Sequence, residues 1–155
     1  MLVKNKGIIK QYNIVIYPVD FVVVIGDVEK EVNELYIPWE EHFNHIGVPK
    51  STGATYRVKE KATGTPCILV WMRKVEDFVT SIVSHECCHA ALEIFNYIGA
   101  AVSYSDQEPF CYLQGNLVRL AVGTFYELPG ITPPSIKNDA FHKEPKKKTT
   151  KPKKK

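Results

Sequence analysis

The chain has 155 residues, of which 45% are apolar and 11% aromatic, enough to bury one ordinary globular core and too few for several domains. Its net charge of +3 sits at one end: residues 143–155 hold eight lysines and one glutamate, and taking that +7 from +3 leaves −4 for the rest. This distribution argues against a nucleic-acid surface on the folded part. Four cysteines (Cys67, Cys87, Cys88, Cys111) without the spacing of a secreted framework, two of them adjacent, argue for free thiols in a reducing, cytoplasmic setting.

In chain order, residues 14–17 and 21–25 are β-branched or aromatic and are separated by Pro18 and Asp20, which predicts two short strands. The same two residues interrupt the only stretch that could imitate a signal or anchor, so no export and no membrane partner is expected. From Asp27 to Leu35 the apolar residues Val28, Val32 and Leu35 keep a helical spacing with Asp27 available as cap, and a second short helix is expected over 39–45. Residues 55–59 alternate, 62–65 supply a turn, and 67–72 are continuously apolar, the pattern of a β-hairpin. A long helix over 75–98 follows and stops at Gly99, and another is expected over 106–126.

Beyond Pro129 and Gly130 the composition turns to Pro, Lys and Thr. The expected organisation is one domain over 1–135 and an irregular tail over 136–155. Its fold class is α+β, a small, mostly antiparallel sheet packed on a buried motif helix and a second C-terminal helix.

The long helix carries His85, Glu86, Cys87, Cys88 and His89. Residues four apart share a helix face, so two imidazoles at 85 and 89 are able to hold one zinc ion, leaving room for a third protein ligand and a water. Glu86, about 100° round the helix from His85, is placed to take a proton from that water. The bland reading is two ordinary histidines and a solvated glutamate, but the apolar surroundings of this helix favour the metal. On a helical wheel the histidines point away from the densest apolar sector (Val79, Val83, Ala90, Ile94), and the following helix is the expected cover for that second face.

Reading on from His89, no histidine occurs before His142, and Glu93 is two turns from His85. Acidic ligands are left, with Glu108 first and Asp106 as fallback. Glu108 has a structural alternative, because Ser105 to Glu108 also reads as a capping box.

His85-Glu86-x-x-His89 followed by a helix opening with Glu108-Pro-Phe-Cys-Tyr112 resembles the glutamate-zincin group of metallopeptidases, and is similar to the minimal ImmA/IrrE-type peptidases and related small phage proteins. The resemblance covers about residues 67–128. It implies zinc on His85, His89 and Glu108, with Glu86 as general base. It also implies a sheet whose edge strand, here residues 67–72, lines the cleft and pairs with an extended peptide. Where larger relatives often carry an acidic residue that orients a zinc histidine, this chain has Tyr112, which is assigned either that work or polarisation of a substrate carbonyl.

The expected function is thus zinc-dependent hydrolysis of a peptide bond in a protein substrate, the alternative being a non-catalytic zinc-stabilised binding protein. Cys87, Cys88 and Cys111 are expected to be core residues, His42 and His45 a solvated pair, and Trp39 and Trp71 core or cleft wall. The lysine tail is expected to make at most weak contact with polyanions.

Overall fold

A computed structural model describes residues 2–4, 7–40 and 42–133 of the chain. Six strands and three helices follow in the order β1 (Leu2–Lys4), β2 (Gly7–Asn13), β3 (Asp20–Gly26), α1 (Glu29–Leu35), β4 (Tyr36–Pro38), β5 (Gly53–Glu60), β6 (Pro66–Met72), α2 (Thr80–Tyr97) and α3 (Glu108–Phe125). The fold is α+β. The sheet order is β1-β2-β3-β6-β5-β4, and every neighbouring pair is antiparallel except β3 with β6.

Both faces of the sheet are covered. Phe21, Val23, Ile25, Ile68, Val70 and Met72 face α2 and α3, and the alternate residues Val22, Val24, Leu69 and Trp71 pack on the other side with Val28, Val32 and Ile46. This is why β3 and β6 read as unbroken apolar runs, since a strand buried on both faces has no polar side to show. Trp71 is fully buried and donates its indole N–H to the Gly26 carbonyl at 2.9 Å. No helix among the described residues is long and apolar enough to cross a membrane.

The hairpin β5–β6 and the final helix stand where expected, and the motif helix ends where expected, with Gly99 in the left-handed region (φ +71°) just past it, but it begins at Thr80 and not at Val75, because Val75–Asp77 form a separate 3-10 turn. The N-terminal third differs. Residues 14–17 are no strand: they form the turn between β2 and β3, with Tyr17 N–H bonded to the Ile14 carbonyl at 2.7 Å and Val15 and Ile16 at 91% and 80% exposure. The strand lies one segment earlier, in the more polar β2. Over 39–45 no helix forms among the described residues, and Asp27 caps nothing, because α1 begins after Val28 with no side-chain cap bond. The tail expected over 136–155 lies outside the described residues.

Strand β6 is an interior strand with β3 and β5 on either side, so residues 67–72 do not line the cleft as an edge. That position belongs to β5. Strand β4 pairs only with its last residues (Pro38 with Val58, Ile37 with Lys59, Tyr36 with Glu60), and Trp39 N–H extends the contact to the Arg57 carbonyl. Residues 53–56 therefore have no strand on their outer side among the described residues.

Candidate functional site

Helix α2 is oriented by its apolar stripe. Val83, Cys87, Ala90, Ala91 and Ile94 are fully buried against the sheet and α3, and fixing that face fixes the rotation of the whole helix. His85 and His89 are left exposed on the far side, one turn apart, with their rings edge-on at 85° and their Nε2 atoms 3.1 Å from each other. Two nitrogens each bound at about 2.05 Å to a tetrahedral zinc would stand roughly 3.3–3.4 Å apart. The pair therefore fits two positions of such an ion with only a small adjustment.

The second face of α2 is not covered by α3, which packs on the apolar stripe. It looks instead at β5 and at the segment that follows β4. Between them lies a cleft of about 650 Å³ whose apolar wall includes Phe43, Ile46 and Val58 and whose polar wall includes Thr55, Glu86, His89 and Glu93. A smaller hollow of about 290 Å³, lined by Ser51, Gly53, Ser81 and His85, continues past the other histidine, and Glu86 borders both.

Glu86 is the one buried carboxylate among the described residues, at 8% exposure. Thr55 donates its hydroxyl to Glu86 Oε2 at 2.8 Å, with the Glu86 main-chain carbonyl also in reach at 3.0 Å. On the same face of β5, Gly53 makes room for the side chain: a β-carbon there would come within 3.1 Å of Glu86 Cγ and 3.0 Å of Met72 Cε. Two positions further on, Arg57 pairs with Glu40 and reaches Glu93 Oε2 from its Nε at 3.9 Å, bracing the open end of the cleft. Tyr56 donates to the Gly47 carbonyl at 3.0 Å, and burial, followed by the nearby Glu86 charge, pushes its hydroxyl pKa up, so it stays a donor at neutral pH.

The motif thus supplied Glu86, His85 and His89, but the residues of β5 that complete the cleft carry no chemical motif. Their only signal is the period-2 spacing of Gly53, Thr55 and Arg57, which puts all three on one face of a strand.

Glu108 is the first residue of α3, exposed, and without a hydrogen bond or ion pair among the described residues. It forms no capping box, because the helix starts after Gln107 with no side-chain cap bond. Phe110 meets Phe95 edge-on at 5.7 Å and Gln114 reaches the Ser84 carbonyl at 3.4 Å, so α3 runs antiparallel to α2 and begins on the His89 side of the motif. Among the described residues no group of three or more His, Cys, Asp and Glu is placed to hold a metal, so neither Glu108 nor Asp106 is gathered with the histidine pair. Tyr112 is 75% exposed and borders a different depression, shared with Tyr12, Ile14 and Leu113, which gives no support to work on a substrate in the cleft.

Of the cysteines, Cys87 is in the core as expected, and burial raises its thiol pKa to about 12; Cys67 is likewise buried. Cys88 is half-buried, and Cys111 is exposed rather than core, because the apolar face of α3 runs through Leu113, Leu117 and Ala121 instead. His42 and His45 are both exposed, and His45 Nε2 bonds Glu29 at 2.7 Å. Comparison of the chain with protein-family models, with curated proteins and with solved structures finds no match.

Proposed function

We propose that the cleft between α2 and β5 is the site of a zinc-dependent peptidase. The observation that carries this reading is the convergence of His85 and His89 Nε2, 3.1 Å apart, with His89 on the cleft, His85 on the smaller hollow and the buried carboxylate of Glu86 bordering both. Two imidazoles suit zinc, and Glu108, exposed at the start of α3 and apart from the pair, would have to be brought to it to serve as the third donor. When bound, zinc supplies a polarised water and a Lewis acid. The chain's own groups do the rest. Glu86 takes a proton on its carboxylate and returns it to the leaving amine. The outer edge of β5 at residues 53–56 receives an extended peptide by main-chain hydrogen bonds, and Arg57, held by Glu40 and Glu93, keeps the far wall rigid.

The test compares zinc-loaded parent and Glu86→Gln on unfolded protein substrates. Glu86→Gln is expected to keep its zinc and to cleave at least about 100-fold more slowly. Equal cleavage by the two proteins would remove Glu86 from the reaction, and absence of cleavage by both would leave a zinc-binding protein that recognises partners without turnover.

A further inference from the structure

A glutamate side chain has three rotatable torsions, so a carboxylate that must meet a proton at a defined point needs something to hold it. Nothing on α2 itself does this. The hold comes from the sheet, where the Thr55 hydroxyl lies 2.8 Å from Glu86 Oε2 and Gly53 leaves space for Glu86 Cγ.

We propose that Thr55, aided by the missing side chain of Gly53, is a positioning residue that pins one oxygen of Glu86 and turns the other to the cleft, an inference that rests on the peptidase reading for its purpose. The hydroxyl carries one proton and has two acceptors, Oε2 at 2.8 Å and the Glu86 carbonyl at 3.0 Å. It can serve only one of them fully. The carboxylate is the nearer and the charged one, and charge-assisted bonds are about twice as strong as neutral ones. Along the helix the carbonyl has an amide partner of its own, so it loses little when the hydroxyl turns away. Oε1 of Glu86 has no hydrogen-bond partner among the described residues, and Glu86 borders both hollows, which leaves that oxygen free to handle a proton. Gly53 contributes by absence, since an added methyl 3.1 Å from Cγ would push the side chain off this position.

The rival explanation is that Thr55 merely ties β5 to α2 through the Glu86 main chain. A double-mutant cycle on the full chain separates the two without reference to activity. If the hydroxyl serves the carboxylate, Thr55→Val raises the unfolding constant about tenfold in the parent and less than about twofold in a Glu86→Ala background. An equal effect in both backgrounds would mean that the proton goes to the carbonyl, and the proposal would be overturned. Should Glu86→Ala not fold, Thr55→Ser, which keeps the hydroxyl, is compared with Thr55→Val, which keeps the shape. Serine is expected to hold kcat within about twofold of the parent, and valine to lower it at least about tenfold with KM and zinc content unchanged. Valine cleaving as the parent does would again overturn the assignment. A parent that cleaves nothing would defeat the peptidase reading alone, because the cycle still reports whether Thr55 holds the carboxylate.

Discussion

His85 and His89 bring their Nε2 atoms to 3.1 Å on the exposed side of α2. Two neutral imidazoles in that attitude are compatible only when one of the facing nitrogens carries a hydrogen, whereas a shared cation satisfies both lone pairs at once. The parent is therefore expected to bind one equivalent of zinc. His85→Ala and His89→Ala are each expected to weaken that binding by at least about 100-fold, and Glu108→Ala by at least about tenfold. Metal content after dialysis checks this, and a thermal scan gives a second reading. Zinc at about 100 times its Kd should stabilise the parent by about 2.7 kcal/mol and the histidine variants by no more than about 0.4 kcal/mol. Retention of full affinity by Glu108→Ala would show that the third donor is not that carboxylate.

How much of this arrangement could be read from residues alone follows from where the physical information sits. The rotation of α2 was legible because Val83, Ala90 and Ile94, with Cys87 in the same sector, form one stripe, and a stripe of that kind has only one way to be buried; Val79, read as part of it, instead precedes the helix and is 48% exposed. The cover of the opposite face was not, because Thr55 and Arg57 belong to a strand whose partners are set by pairing at a distance. The edge position went to β5 rather than β6 for the same reason: β6 recruits β3 in parallel, and no local pattern announces a parallel partner. At residues 14–17 β-propensity misled, since a two-residue aliphatic tip costs little when exposed, while Pro18 and the tight Ile14–Tyr17 bond reverse the chain.

The turn at 14–17 gives a direct contrast in stability. Ile16, at 80% exposure, should tolerate replacement by serine within about 0.5 kcal/mol. Phe21, fully buried on the helix-facing side of β3, should lose about 3–5 kcal/mol on replacement by alanine. Urea unfolding of the two variants checks this, and a loss above about 1.5 kcal/mol for Ile16→Ser would place the Val15–Ile16 tip in the core beside Ile14, which is already buried there.

Gly7 opens β2 opposite Gly26, and a β-carbon on it would lie 2.2 Å from the main-chain oxygen of Ile25 and 3.0 Å from Val28 Cγ1. The first of these is backbone in a paired strand and cannot swing away. Gly7→Ala is accordingly expected to cost about 1–3 kcal/mol, in contrast to Gly115→Ala on α3, where no atom lies within 4 Å and the helix gains from alanine by about 0.5–1 kcal/mol. Equal stabilities for the two variants would contradict the β2–β3 register.

Cys67 supplies a test at alkaline pH, away from the histidines. Burial, with a further push from the charge of Asp20, raises its thiol pKa to about 12 from an ordinary value near 9. The folded chain then holds this proton more tightly than the unfolded one does. Its contribution is fully present below about pH 9 and is lost as the pH rises from there towards 12, with a slope of up to about 1.4 kcal/mol per pH unit for one such group. The buried hydroxyl of Tyr36, also raised, acts in the same direction at higher pH. Urea unfolding between pH 8 and pH 11, taken at steps of about one unit, should show the parent losing stability more steeply than Cys67→Ala, which lacks the titrating thiol. Parallel curves would mean that the thiol is ionised as easily in the folded chain as in the unfolded one, against its burial at 0% exposure between β3 and β5.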